Sequence, residues 1–491
     1  MILRRRVLLA FVAAVTTLAI LSPPAAAAPS RLNVLFIAVD DLRVELGCYG
    51  GTPAVTPHID RLARRGMLFE RAYCQQALCN PSRASLLTGR RPDTLRLWNL
   101  TRHFRDTYPG IVTLPQRFKE VGYHTRNIGK VFHNWRTKIR GDPDSWSGPA
   151  VMHFARHGSD RPVVPSGSPP PNLAKARRTE SRDVPDDAYF DGRVAELAVK
   201  ALREIADRSF FLAVGFWKPH LPFNAPKRYW DLYDRAKLSL PAHPEPPEGV
   251  PALALHNGRE LLGDKGRPLS SGEILELRHG YYAAISYLDA QVGKVLDELD
   301  RLRLSGRTIV VFWPDHGFHL GENGLWCKTS NFELDARVPL IIATPRSKHP
   351  GARTGALVEL LDLYPTLLDL CGLPPSPSSP KAAGGLEGVT LRPLLEDPTR
   401  AVKRAAYTQH PRPAYYKEEP RAMGCSVRTR RYRYTEWRDF RTGKVLAREL
   451  YDHRRDPRES RNVVASPPDP AAFEEAVRLL DEAFPRQGYR R

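Results

Sequence analysis

The residues that could do chemistry fall in a few short stretches. NVLFIAVDD (33–41) runs apolar and stops at Asp40 and Asp41. RTIVVFWPDHG (307–317) repeats that design and ends in Asp315 and His316. SFFLAVGFWKPHLPF (209–223) runs apolar into Lys218 and His220. Clustered aspartates repel one another unless a cation neutralises them, and oxygen donors suit a hard ion such as calcium or magnesium. The single histidine keeps manganese or a softer metal in play. Either acidic pair alone has a plain structural reading, as a helix cap or a turn. Together, at equivalent strand ends, they point to a site.

CNPSRASLLTGR (79–90) holds the next candidate. Pro81 suits the first turn of a helix and Gly89 its C-terminal stop. Cys79 then sits at a helix N-terminus, where free N–H groups favour an anion, with Arg83 about one turn on. Two readings compete: a buried apolar filler, as most free cysteines are, or a nucleophile. GKVFH (129–133) offers Lys130 and His133, and WCKTSN (326–331) offers Lys328. Chemistry alone does not select these three, since a lone lysine is ordinarily a solvated charge and a lone histidine a packing residue.

The elements that must position these groups alternate. The apolar strands are separated by helix-like patterns at TPHIDRLARRGMLFERAY (56–73), LPQRFKEVGY (114–123) and HGYYAAISYLDAQVGKVLDELDRL (279–302). That alternation predicts an α/β fold, a sheet covered on both faces, with ligands beyond the carboxyl ends of its strands. RVPLIIATP (337–345) reads as a fourth strand. Residues 157–187 and 240–270 read as long surface excursions, and 374–385 as a loop. After about residue 400 the texture changes. SVRTRRYRYTEW (426–437) alternates like one antiparallel strand, GKVLARELYD (443–452) pairs with it, and PDPAAFEEAVRLLDEAF (468–484) is an amphipathic helix. The expected organisation is a signal segment over 1–28, a catalytic domain over 29–400 and a small α+β unit over 401–491.

Arg4 to Arg6, the apolar run Val7 to Leu21 and the small residues Ala26 to Ala28 read as a secretory leader, so the mature chain is expected to be exported, periplasmic or extracellular, by either a general or a twin-arginine route. No later stretch is apolar enough to span a bilayer. Six cysteines (48, 74, 79, 327, 371, 425) with no CxxC spacing argue against a disulfide scaffold and a zinc ribbon. The formal charge of +20 invites a polyanion. Its basic residues interleave with acids and no nucleic-acid motif is present, so nucleic acid is not the expected partner. An acidic substrate is compatible.

The run C-x-P-S-R-x-x-x-L-T-G-R resembles the signature of the type I sulfatases. The likeness continues through DDLRVELGCYG, GKVFH, FFLAVGFWKPHLPF, PDHGFHLGENGLWCKTSNF, VELLDLYPTLLDLCGL, MGCSVRTRRYRYTEW and RELYDHRRDPRESRN, whose phrasing is similar to the iduronate-2-sulfatase subfamily. The resemblance implies an alkaline-phosphatase-like α/β/α sandwich with a mostly parallel central sheet and a smaller C-terminal domain. It implies that a formylglycine-generating maturation enzyme, reading Pro81 and Arg83, oxidises Cys79 to Cα-formylglycine. One calcium ion, with magnesium or manganese as alternatives, would be held by Asp40, Asp41, the modified Cys79, Asp315 and His316. Arg83, Lys130, His133, His220 and Lys328 would complete the catalytic set. His319 and Asn323 fall in a loop where members of the family vary and substrate is selected.

The implied substrate is a sulfated saccharide, a sulfate ester on an acidic sugar with 2-O-sulfated uronate foremost. In the implied chemistry the aldehyde hydrates to a geminal diol and one hydroxyl attacks sulfur. His220 or Lys328 protonates the leaving alcohol, and His133 takes the second hydroxyl's proton so that the aldehyde reforms and sulfate departs. Lys130, Arg83, Lys328 and the cation neutralise the sulfuryl oxygens. Two rivals stand beside this reading. One is a phosphonate or phosphate monoester hydrolase of the same superfamily. The other is a non-catalytic sulfated-glycan-binding protein, which expects eroded motifs where none is missing.

Overall fold

The computed structural model describes residues 31–134, 137–153, 178–256, 258–263, 267–375 and 385–489. The leader, most of 157–187 and most of 374–385 lie outside the described residues. Leu32–Arg491 forms one compact unit.

Its centre is a seven-stranded sheet of β1 (Asn33–Asp40), β2 (Met67–Tyr73), β3 (His124–Gly129), β4 (Phe210–Pro219), β5 (Thr308–Pro314), β6 (Arg337–Ala343) and β7 (Arg353–Glu359). The spatial order is β7-β2-β6-β5-β1-β4-β3. β1 runs parallel to β4 and β5, β3 parallel to β4, and β7 parallel to β2. β6 alone runs antiparallel, between β5 and β2. The sheet is therefore mostly parallel, as the alternation of elements requires.

Every residue of β1 is buried because helices cover both faces. Alternate side chains divide between two cores: Leu35, Ile37 and Val39 enter one, Val34, Phe36 and Ala38 the other. Helices α1 (Pro57–Arg65), α3 (Phe190–Glu204) and α4 (Ser271–Arg301) carry the first core. α2 (Cys79–Thr88) lies with the second. Ser270 and Glu273 close a capping box that starts α4.

Two expectations are corrected. The pattern over 56–73 is not one helix: α1 stops at Gly66 and Met67–Tyr73 is β2. A Cβ at Gly66 would lie 2.6 Å from the Ile342 carbonyl oxygen, so the chain there runs flush against β6. Pairing with β6 and β7 outweighs local helix preference. The stretch 426–437 is not one strand but the end of β9 and most of β10, in a sheet of β8 (Ala406–Arg412), β9 (Ala422–Arg428), β10 (Tyr432–Asp439) and β11 (Val445–Asp452). A turn closed by Thr429 N–H donating to the Tyr432 carbonyl (2.8 Å) separates them. Polar–aromatic alternation runs through that turn without a break, so the pattern hides it. α5 (Pro470–Ala483) packs on this second sheet.

The second sheet is tied to the first. The Gln409 N–H donates to the Gln75 carbonyl (2.9 Å), and Asn331 Nδ2 donates to the Gly424 carbonyl (3.0 Å). Buried Arg433 links Glu459 (2.7 Å) to Glu333 (2.5 Å).

Candidate active site

Because β5, β1, β4 and β3 are adjacent and parallel, their carboxyl ends share one edge. β1 ends in Asp40 and Asp41, β5 leads into Asp315 and His316, β4 into His220, and β3 into Lys130 and His133. β2, parallel to them, leads through a short loop into Cys79, the first residue of α2. The helix ends at Gly89 in the left-handed region, its N–H turned back to Leu86 and Ser85.

Neighbouring side chains on a strand diverge, and Asp40 and Asp41 converge because Asp41 has left the strand, at φ 60°. Aspartate tolerates that conformation better than most residues. On β3, Gly129 sits at φ 77° and a Cβ there would lie 2.0 Å from the Gly215 carbonyl oxygen. Only glycine lets β3 press against β4 and aim Lys130 inward.

Arg83 organises the acids. Its Nε donates to Asp315 Oδ2 (2.8 Å) and one terminal nitrogen to Asp40 Oδ1 (3.0 Å) and the Val39 carbonyl (2.9 Å). The other terminal nitrogen takes the carbonyls of Lys130 (2.8 Å) and Val131 (3.0 Å). All five donors are spent on protein acceptors, and the side chain is fully buried. Arg83 thus fixes two carboxylates and three strand-end carbonyls.

Lys130 donates to Asp40 Oδ2. Lys328 Nζ donates to Asp41 Oδ2 (2.8 Å) and Glu260 Oε2 (2.8 Å), and lies 3.1 Å from His220 Nε2. Lys328 stands between two residues at positive φ, Cys327 (74°) and Thr329 (89°). For a β-branched residue that is a strained backbone, of the kind that gathers at functional sites. Arg412, at the end of β8, holds it by donating to the Thr329 carbonyl (2.9 Å) while also taking those of Leu253 (2.7 Å) and Ala254 (2.9 Å).

His316 accepts at or donates from Nε2 toward Cys79 Sγ (3.4 Å), with Asp41 Oδ1 also 3.4 Å away, and its Nδ1 is fixed on the Gly317 carbonyl (3.0 Å). Asp315 Oδ1 receives the N–H of Asp41 (3.1 Å) and of His316 (3.0 Å). His220 Nδ1 sits on the Leu221 carbonyl (2.7 Å), leaving Nε2 toward Glu260 Oε1 (3.0 Å) and Asp41 Oδ2 (3.7 Å).

Charges follow these contacts. Burial works against the Asp40 carboxylate, but Lys130 and Arg83 outweigh it and hold its pKa well below the usual range. Burial raises Asp41 despite His220 and Lys328. Burial and the Asp40 carboxylate push the Cys79 thiol well above its ordinary value, so an unmodified thiol here is a poor nucleophile at neutral pH. Burial opposes charge on His220, but Asp41 and Glu260 raise its pKa. Burial and Lys130 push His133 well down.

The ligand atoms of Asp41, Cys79, Asp315 and His316 lie within 4.8 Å of one another, as do those of Asp40, Asp41, Cys79 and His220. The two groups share Asp41 and Cys79, and their carboxylate-rich donors fit a hard divalent cation. His316 is oriented for it by the carbonyl behind its ring.

Three sequence candidates fall outside this cluster. Lys218 turns its ammonium onto the carbonyls of Pro222 (2.7 Å) and His220 (3.3 Å) and shapes the loop rather than the site. Burial pulls its pKa down to about 8. His319 is fully buried with Nδ1 on Asp335 (2.7 Å), and Asn323 is buried with its N–H on the His243 carbonyl (2.6 Å). Both side chains are buried in the loop that follows β5. The cysteines are all free thiols.

Sequence reasoning missed two neighbours. Glu260, in a one-turn helix (Arg259–Leu262) within the excursion 240–270, bridges Lys328 and His220. Tyr415, from the loop after β8, lies among Glu260, Lys328, Cys327 and Cys79. Nothing in RELL or PAYY marks either one; only the fold brings them here. Asp191 on α3, which accepts the N–H groups of Trp217 (2.8 Å) and Lys218 (2.9 Å), is a third unannounced support.

A mostly parallel sheet covered on both faces, with a smaller C-terminal sheet, is an alkaline-phosphatase-like fold. The family described as Sulfatase matches residues 32–373, and the C-terminal region described as N-sulphoglucosamine sulphohydrolase matches 321–482. The chain belongs to the sulfatase family. It is 36% identical to iduronate 2-sulfatase of Mus musculus over 89% of this chain and 91% of that one. Among solved structures, a complex with D-glucosamine-2-N,6-O-disulfate superimposes with a TM-score of 0.73 at 21% identity, covering 93% of this chain and 98% of that one. Phosphonate monoester hydrolase from Silicibacter pomeroyi superimposes at 0.72 and 23% identity, covering 92% and 94%.

Proposed function

We propose that this chain is exported and hydrolyses sulfate esters on acidic sugars, 2-O-sulfated uronates foremost, through a formylglycine made from Cys79 by a maturation enzyme. The observation that carries the reading is the convergence of Cys79, three carboxylates, His316 and the paired Lys328–His220 on one strand edge. Similarity to iduronate 2-sulfatase supports the choice of sugar.

Asp40, Asp41, Asp315, His316 and residue 79 would hold one divalent cation, calcium by the hardness of its donors. Bound there, it supplies positive charge that acidifies a hydroxyl and offsets charge on the sulfuryl oxygens. Formylglycine supplies a hydrate, an oxygen nucleophile with a second hydroxyl. The chain's own residues do the rest. Lys130 and Lys328 place ammonium groups at the edge where sulfuryl charge is redistributed. His220, oriented by the Leu221 carbonyl, hands the Nε2 proton to the leaving alcohol oxygen, with Lys328 beside it. His133, kept neutral by burial and Lys130, would serve as the base for that second hydroxyl. Arg83 keeps Asp40 and Asp315 in place throughout.

Mass spectrometry of the peptide containing residue 79, from protein expressed with a formylglycine-generating enzyme, tests the nucleophile; an intact thiol in a fully active preparation refutes it. A panel of a 2-O-sulfated uronate disaccharide, 4-nitrophenyl sulfate and 4-nitrophenyl phosphate tests the substrate. The disaccharide should have the highest kcat/KM, with an advantage that shrinks as salt rises. A faster phosphate ester would replace this reading with the monoester hydrolase.

A further inference from the structure

A groove of about 380 Å³ is lined by Arg96, Trp98, Arg102, Tyr416, Glu418 and Glu419, with Phe440 and Tyr489. That volume falls in the range of about 300–1,000 Å³ usual for small-ligand sites. We propose that this groove is a subsite for the sugar adjoining the one that is cut, and that it reads a sulfate or carboxylate on that sugar. The proposal rests on the sulfated-sugar reading above and extends it from a single residue to a chain.

Two structural links join the groove to residue 79. Asn80, next in sequence to Cys79, donates its side-chain amide to the carbonyls of Asn99 (2.9 Å) and Arg102 (2.8 Å), so the groove's rim hangs from the start of α2. Tyr416 lines the groove and follows Tyr415, whose hydroxyl feels the charges of Glu260 and Lys328. One step along the chain therefore passes from site to groove.

The charge is available. The Arg96 and Arg102 side chains are exposed and make no ion pair or hydrogen bond among the described residues. Of the acids on the rim, Glu419 is taken by Arg441 (2.7 Å) and Glu418 has a partner of its own. The rim is also pre-shaped: Asn99 Oδ1 accepts the N–H groups of Thr101 (3.1 Å) and Arg102 (3.0 Å). A guanidinium fork matches the paired oxygens of a sulfate or carboxylate.

The rest of the lining suits a sugar ring. Trp98 meets Phe440 and Tyr489 edge-on at 5.5 and 5.6 Å between centroids, and Phe440 stacks on Tyr489 at 4.9 Å. Trp98 is further locked by its Nε1 donating to Asp93 (2.7 Å). This packed aromatic cluster stiffens the wall of the groove, and the two arginines give its edge a positive charge.

The test compares three substrates in the wild type and in Arg96→Gln/Arg102→Gln: 4-nitrophenyl sulfate, a 2-O-sulfated uronate disaccharide, and the corresponding tetrasaccharide sulfated on each glucosamine. Tetrasaccharide kcat/KM should exceed that of the disaccharide in the wild type and fall roughly tenfold per arginine in the variant. The aryl sulfate should be unaffected. Equal loss on all three substrates, or no loss on the tetrasaccharide, overturns the subsite. A second arm measures tetrasaccharide binding to Cys79→Ala through Trp98 fluorescence, with and without the arginine substitutions. Binding that depends on both arginines upholds the groove even where no sulfate is released, an outcome that would sink the proposed reaction alone. Binding indifferent to them overturns the groove while leaving hydrolysis standing.

Discussion

Arg83→Lys separates positioning from substrate contact, and its cost can be worked from the structure. A lysine keeps the charge but has three donors and no fork. It can reach Asp40 or Asp315, not both, and abandons the carbonyls of Val39, Lys130 and Val131 that Arg83 now satisfies. Leaving one buried carboxylate without its partner costs about 3–5 kcal/mol. Unfolding entropy near 2 cal/mol/K per residue gives roughly 1 kcal/mol/K for a unit of this length, so the melting temperature should fall by about 3–5 °C. The measurement belongs in a Cys79→Ala background, where the state of residue 79 is the same in both proteins. Calorimetry at fixed calcium, then again after chelation, gives the shift and the change in cation affinity. An unchanged melting temperature, together with a raised KM when the substitution is moved to the mature enzyme, would falsify the positioning role and return Arg83 to the substrate.

Three further outcomes are expected. Exhaustive chelation should abolish sulfate release and added calcium restore it, and full activity in verified metal-free protein would remove Asp40, Asp41, Asp315 and His316 as a ligand set. His220→Ala should lower kcat by about 10²–10⁴-fold on a sugar sulfate, whose alkoxide needs a proton, and much less on 4-nitrophenyl sulfate; an equal loss on both would show that His220 does not protonate the leaving group. Burial lifts the Glu449 pKa to about 7 although Tyr451 and Trp437 both donate to its carboxylate. The folded protein therefore keeps a proton that the unfolded chain gives up, and stability falls as pH rises from about 4.5 to 7, by up to about 1.4 kcal/mol per unit. Glu449→Gln should match the wild type at pH 4.5 and melt higher at pH 8, and parallel melting curves across that range would refute the assignment.

The strand ends were legible because a buried parallel strand writes its apolar run and its polar stop in consecutive residues, as in NVLFIAVDD. The helix behind Cys79 was legible from Pro81 and Gly89. Lys130, His133 and Lys328 carried no local signal and came from family likeness alone. Glu260 and Tyr415 were out of reach because what places them is the path of irregular segments, which no periodicity records. Spacing puts Arg83 near the acids, but only the fold shows how its five donors divide between two carboxylates and three carbonyls. β2 was lost inside an apparent helix because MLFERAY serves a strand only through its neighbours β6 and β7.

The depth of Cys79 sets a schedule for making this protein. Only 2% of the residue is exposed in the finished fold. The groups that close over it, Asp315, His316 and Lys328, come from chain synthesised roughly 250 residues later, and at about 5–20 residues per second a ribosome needs some ten seconds to a minute to reach them. The segment that pins Lys328 through Thr329, ending at Arg412, arrives later still. Any enzyme that is to alter this thiol must reach it before the fold closes. A chain that folds first is sealed with its sulfur intact.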